Sequence, residues 1–275
     1  MLSTVFNFRR AVVSAVAAVV SFAAAAAGGD GVTFELIVDG GAPQAFALPG
    51  EGVGDGVLLY ANTHFGAEYV VGWSVQAKAS GAPFLSGNVV VTNSADLPKN
   101  FELSIELPLD AAITPECLIG GSIAGGLIVP PGGGWLTPLD AETPIWRALI
   151  DDASVASLLG DDSGVLGVTA GAYIVGPAAF GEPAPSAPGP PIHERMSIVL
   201  AFQLSPGAHV ALTQVFAASP VPSPADLNGD GVVDGADLGI LLNSWGPCVG
   251  CPADLDGNGV VDGADVGILL SEWSI

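Results

Sequence analysis

Positive charge is what this sequence most lacks: 275 residues hold 6 Lys and Arg against 28 Asp and Glu, a formal net charge of −22. Such a surface repels phosphate backbones, so nucleic-acid partners are excluded. Three cysteines are too few for a disulfide scaffold. Only 12% of the residues are charged while 50% are hydrophobic, so charge-driven disorder is excluded and a large core is expected. Beyond residue 27 no apolar run reaches membrane-spanning length, so no membrane span is expected after leader cleavage.

The first 27 residues have the pattern of a secretory signal. Arg9 and Arg10 form a basic start, Ala11 to Phe22 an apolar stretch, and Ala25 and Ala27 the small residues of a cleavage site. Ala11 and Val12 fit the twin-arginine consensus poorly, which favours the general export route and a secreted, extracellular or cell-surface location. Cys248 and Cys251, in GPCVGCP, read as a local disulfide suited to that compartment, with free thiols as the alternative. A zinc site would need further ligands, and neither His nor Cys follows residue 251. Cys117 reads as a buried thiol.

Residues 28–217 alternate apolar and polar in short bursts between Gly and Pro. In KNFELSIELPL, Phe101, Leu103, Ile105 and Leu107 fall on one face and Glu102, Ser104 and Glu106 on the other, as a strand requires. The same alternation in VTFELIV, MSIVLAFQL and HVALTQVF, with further bursts between, predicts a mainly β fold, an antiparallel β-sandwich. TPIWRALIDDASVASLLG departs from this rhythm: Trp146, Leu149 and Ile150, then Val155, Leu158 and Leu159, predict one or two short helices. The proline-rich tract Gly176 to Pro191 predicts a surface loop, and residues 218–224 a stiff linker.

Residues 225–275 contain a repeat. PADLNGDGVVDGADLGILLNSWG, from Pro224, aligns without gaps onto PADLDGNGVVDGADVGILLSEWS, from Pro252, with 17 of 23 positions identical. Each copy opens with the spacing of a twelve-residue calcium loop, in which alternate residues turn oxygens inward and a glycine permits the sharp bend. The first loop offers Asp226, Asn228, Asp230, the Val232 carbonyl, Asp234 and Asp237. The second offers Asp254, Asp256, Asn258, the Val260 carbonyl, Asp262 and Asp265. Two Ca²⁺ ions are the expected cofactors. Solvated turn residues would account for single aspartates but not for four carboxylates within twelve residues, twice, with no Lys or Arg after Arg195. Asp234 and Asp262 are placed to cap following helices, whose apolar stripes (Leu238, Leu241, Leu242 and Trp245; Val266, Leu269, Leu270 and Trp273) are expected to bury against each other.

These tandem loops resemble a type I dockerin, the calcium module that docks onto cohesins in extracellular polysaccharide-degrading assemblies. Three features carry the likeness: no helix precedes either loop, position 12 is Asp, and loop plus helix occurs twice near the C-terminus. The resemblance covers about 50 residues. It implies a small all-α, EF-hand-type module and a cohesin-like or cell-surface protein partner. Positions 10 and 11, commonly polar in dockerins, are here Gly235 and Ala236, then Gly263 and Ala264. A thrombospondin-type calcium repeat is the rival, but lacks the apolar helix ending in Trp.

The β domain carries no nucleophile elbow, HExxH or phosphate loop. His64, His193 and His209 share no motif spacing, and Asp162-Ser163-Gly164 is a single triplet where aspartic proteases need two aspartates. Asp151, Asp152, Asp161 and Asp162 are the carboxylates to inspect for glycosidase chemistry, against a plainer role in helix ends and turns. Trp73, Trp135, Trp146, Tyr60 and Tyr69 are the candidates for stacking on sugars, though at 7% aromatic content most belong in the core. The expectation is a secreted calcium-binding protein whose C-terminal module tethers a sandwich to an extracellular assembly linked to polysaccharide breakdown. The alternative is a cryptic carbohydrate-active enzyme or a carbohydrate-binding module carried on the sandwich.

Overall fold

The structure is a computed structural model that describes residues 31–47, 49–114, 116–182 and 185–273. The expected leader, with its expected cleavage site, lies outside the described residues. In chain order the strands are β1 (Thr33–Val38), β2 (Gln44–Ala47), β3 (Glu51–Gly54), β4 (Val57–Phe65), β5 (Tyr69–Lys78) and β6 (Phe84–Asn93). There follow β7 (Lys99–Pro108), β8 (Cys117–Val129), β9 (Gly134–Thr137), β10 (Trp146–Ile150) and β11 (Ala153–Leu158). The last of the domain are β12 (Val165–Gly167), β13 (Gly171–Phe180), β14 (Ala187–Gly189), β15 (Arg195–Leu204) and β16 (His209–Pro220).

They form two antiparallel sheets. The first is ordered β11-β10-β15-β7-β1-β2, with β9 beside β15 and β12 beside β9; the second is ordered β13-β8-β16-β6-β5-β4-β3, with β14 also on β8. Period-two patterning puts one face of each sheet into a common core: Phe101, Leu103, Ile105 and Leu107 of β7 are all buried, as expected. Aromatic pairs join the two sheets across that core. Phe34 of β1 stacks on Trp73 of β5 at 3.9 Å, and Trp146 of β10 meets Phe216 of β16 edge-on at 6.3 Å. The fold is mainly β and sandwich-like.

Two expectations are corrected. The TPIW segment forms no α-helix: it is the β10–β11 hairpin, closed by Asp151 and Asp152 at φ of 45° and 67°. A two-residue loop with both φ positive gives the twist a hairpin needs, and aspartate tolerates that region better than most residues. Trp146, Ala148 and Ile150 then point inward, and β10 pairs with β15. The second correction concerns the proline tract. β13 runs on to Phe180 across an irregularity between Val175 and Ala178, and Ala187–Gly189 pairs with Cys117, Leu118 and Ile119. Both strands lie at the sheet's edge, where a proline's missing N–H costs no ladder bond.

β16 reaches Pro220, taking the ladder into the first residues of the expected linker. Beyond it lie helices α1 (Gly235–Asn243) and α2 (Gly263–Ser271) and a two-residue ladder of β17 (Gly246–Pro247) with β18 (Val260–Val261). Cys248 and Cys251 are disulfide-bonded, and Cys117 is a buried free thiol. Of the helical stripes only Leu241 and Leu269 are fully buried, among Ala225, Val233, Ala253 and Val261 from the loops. Leu242, Trp245, Leu270 and Trp273 are exposed, contrary to expectation: the small core takes one leucine from each helix, and the neighbouring apolar positions face outward. Among the described residues no helix is long and apolar enough to cross a membrane.

Candidate metal centre

Each loop is built around its last aspartate. Asp237 is fully buried, and its Oδ1 accepts the N–H groups of Leu227 and Asn228 at 2.8 and 3.1 Å while its Oδ2 accepts that of Asp234 at 2.9 Å. Asp265 repeats this with Leu255, Asp256 and Asp262. In return the Asp234 and Asp262 side chains accept the N–H groups of Ala236 and Ala264, completing a reciprocal capping box at the start of each helix. The Asp234 N–H, more than any other group, holds the Asp237 carboxyl below the usual aspartate value; burial opposes it, and the Asn228 and Leu227 N–H groups reinforce it. The Asp262 N–H does the same for Asp265. Both carboxylates are kept ionised in the interior. This framework role was legible in the D-x-x-D spacing, although only the capping by Asp234 and Asp262 is predicted above.

The remaining ligand positions differ between loops. In the second, oxygens of Asp254, Asp256 and Asp265 all lie within 4.8 Å of one another, a span that two oxygens 2.3–2.6 Å from one cation can reach. Asp254 Oδ2 accepts the Gly259 N–H at 2.8 Å, whereas its Oδ1 is buried and has no hydrogen-bond partner among the described residues. A buried carboxylate oxygen without a donor is costly, and a cation is what would satisfy it. Asn258 donates from Nδ2 to Asp256 and accepts the Val260 N–H at Oδ1. These three carboxylates could therefore hold a metal ion.

In the first loop both Asp226 oxygens are occupied, Oδ1 by the N–H groups of Gly229 and Asp230 and Oδ2 by that of Gly231. Asp230 accepts the Asn228 amide and the Val232 N–H. Gly231 and Gly259, at φ of 87° and 91°, make the sharp turn that the pattern requires. Ser223, just before the module, bonds to Glu272 just after α2 and accepts the Ala225 N–H, tying the module's two ends together.

Several of the candidates in the β domain are engaged in contacts that hold the fold. Asp151 Oδ1 accepts the N–H groups of Glu194 and Arg195, and Oδ2 that of His193, whose ring Nδ1 lies 3.1 Å away. Asp152 pairs with the Arg195 guanidinium, which also lies 3.7 Å from Glu106. Together these fasten the β10–β11 turn to the start of β15. Burial pushes the Glu106 carboxyl above its usual value, against the pull of Arg195. Asp162 sits in a single turn of 3₁₀ helix (Asp161–Ser163). His209 bonds to Thr92, and His64 lies 3.4 Å from the Tyr69 hydroxyl. Of the five aromatic candidates, Trp73, Trp146 and Tyr60 are core residues, while Trp135 and Tyr69 are half-buried. Comparison with family models and with curated proteins finds no match for this chain.

Proposed function

We propose that this is a secreted calcium-binding protein whose C-terminal module, ordered by two Ca²⁺ ions, tethers the sandwich to a cohesin-like or cell-surface protein in an assembly that acts on polysaccharides. The observation that carries the reading is the convergence of Asp254, Asp256 and Asp265 around a buried, donor-free carboxylate oxygen. Hard oxygen donors in this number suit Ca²⁺ over softer metals. The Asn258 side chain, the Val260 carbonyl and Asp262 would complete the second site, and Asp226, Asn228, Asp230, the Val232 carbonyl, Asp234 and Asp237 would make the first. Bound calcium supplies positive charge that offsets the crowded carboxylates. The chain's own part is to hold Asp237 and Asp265 ionised and to fix each loop to the helix it caps.

Support for the tether comes from what the helices leave outside. Leu242 and Trp245 of one repeat, and Leu270 and Trp273 of the other, are exposed at equivalent positions on and just beyond α1 and α2. Aromatic residues are enriched in protein interfaces, and an apolar pair repeated at equivalent positions is suited to such a contact. The test is calorimetric titration of the full chain with Ca²⁺, then binding to an immobilised recombinant cohesin domain with calcium and with chelator. Two bound ions and calcium-dependent capture are expected. Absence of calcium binding would overturn the metal reading, and calcium binding without capture would overturn the docking one.

A further inference from the structure

The two outward sheet faces differ in charge. β7 carries Glu102 and Glu106 outward, and β10 and β15 add Arg147 and Arg195 to the same sheet. In the other sheet β4, β5, β6, β8, β13 and β16 contain no Asp or Glu at all, their one cation is Lys78 at the end of β5, and the sheet's acidic strand residue is Glu51 of the edge strand β3. The chain as a whole carries 28 acidic residues. Register defines the surface these strands present. One outward row runs Thr63, Gly72, Val90, Ala211, Gly126, Ile174 across all six strands. Phe65, Val90, Ile128 and Ile174 stand out from the face with 74, 45, 55 and 78% of their surface exposed. Nothing among the described residues covers them.

We propose that this face is where two copies of the chain meet, sheet against sheet, in a two-fold dimer. Each chain carries a net charge of −22, so two copies repel wherever carboxylates would face each other. A surface cleared of carboxylates across six strands removes that repulsion where contact is to form, and an isologous contact needs the same patch on both partners. Other occupants fit less well. A basic partner would be met by acidic residues, and a sugar polymer by flat exposed rings, whereas the only outward rings here are Phe65, Phe84 and His209. An anionic membrane would require more cations than Lys78.

Size and shape agree with a dimer. Six strands about 4.8 Å apart and nine residues at about 3.3 Å each give a face of roughly 800 Å² per copy, the standard size for a stable interface. The small side chains at its centre permit the close approach of about 10 Å found between packed sheets. Two polar pairs on it are already made: Thr213 bonds to Asn88 at 2.5 Å, and Thr92 to His209 at 2.8 Å. Covering them therefore leaves few groups unsatisfied.

Sedimentation velocity of the full chain over a concentration series tests this. Wild type should form a dimer whose population rises with concentration and with salt, since salt screens the flanking carboxylates, and which persists in chelator. Ala211→Glu and Ile174→Glu, each placing a carboxylate on the face, should weaken association about a hundredfold or more with the melting temperature of the β domain retained, and Ala211→Ser should associate like wild type. A wild type monomeric throughout would overturn the proposal. So would a dimer that survives both folded glutamate variants, or one lost in chelator, which would place the contact on the C-terminal module.

Discussion

Asp254 and Asp265 open and close one loop and bring their carboxylates to within 4.8 Å, yet they are held in opposite ways. Asp265 is fully buried and spends both oxygens on three backbone N–H groups, while Asp254 keeps a buried Oδ1 with no donor. Asp265 builds the loop, whereas Asp254 keeps an oxygen available to a ligand. Asp254→Asn should therefore weaken calcium binding at the second site by about tenfold or more, because it removes a charged ligand. Helicity measured in chelator should stay unchanged. Titration calorimetry with far-ultraviolet circular dichroism checks both, and a loss of helicity without calcium would show that Asp254 is a framework residue instead.

The opposite pattern is expected of Asp237→Ala and Asp265→Ala. Each removes the acceptor of three N–H groups and half of a capping box, so helicity should fall even in chelator, and calcium should restore it incompletely. Asp→Asn at these positions should fall between, since one amide oxygen can still accept. Wild-type helicity in all four variants without calcium would refute the framework role.

Calcium should raise the unfolding temperature of the C-terminal module without moving that of the β domain. With two short helices and a core of a few side chains, the module should gain about 2.7 kcal/mol per bound ion when calcium stands a hundredfold above its dissociation constant. Differential scanning calorimetry of the full chain with calcium and with chelator resolves the two transitions. Tryptophan emission is a poor reporter, since Trp245 and Trp273 retain 55 and 36% exposure.

The strands were legible wherever one face is buried and the other wet, as in β7 and β16, because period two then has no competitor. The β10–β11 hairpin was not. Trp146, Leu149, Ile150 and Val155, Leu158, Leu159 fit a helical period as well as Trp146, Ala148 and Ile150 fit a strand, and the choice is made by a distant partner, β15. Prolines hid β14 because only its edge position excuses them. In the repeats, spacing alone located every acidic side chain of the cluster. It did not distinguish the two loops, which differ in that cluster only by exchanging Asn228-x-Asp230 for Asp256-x-Asn258. Nor did it show the exposed tryptophans, since an apolar stripe says nothing of whether enough protein lies opposite to cover it.

Asp151 should make the β domain sensitive to acid. Burial pushes its carboxyl up, but the N–H groups of His193, Arg195 and Glu194, helped by the His193 ring, outweigh that and hold it below the ordinary value. A carboxyl depressed in the folded state stabilises fully above its unfolded value of about 3.9 and loses that contribution as pH falls through the folded value. Asp151→Ala should lower stability at neutral pH by about 2–3 kcal/mol by leaving three N–H groups without their acceptor. In urea unfolding series the gap between wild type and variant should narrow below about pH 4. A gap that stays constant into strong acid would mean that the carboxylate's charge contributes nothing.

Gly121 and Trp146 should prove energetically coupled across the sandwich. A Cβ at Gly121 would lie 2.8 Å from the Val215 carbonyl oxygen and from Phe180 Cε1, and 2.9 Å from Trp146 Cη2. Two of these neighbours are rings in a packed core, and the third is backbone of the adjacent strand, so none yields cheaply. Gly121→Ala should destabilise by about 1–3 kcal/mol. Trp146→Leu alone should cost about 3 kcal/mol through the space it empties. Part of that space adjoins Gly121, so the double variant should be less unstable than the two losses added, by about 0.5–1 kcal/mol. Simple additivity in a double-mutant cycle would show that the Val215 carbonyl, not the Trp146 ring, is what excludes a side chain at position 121.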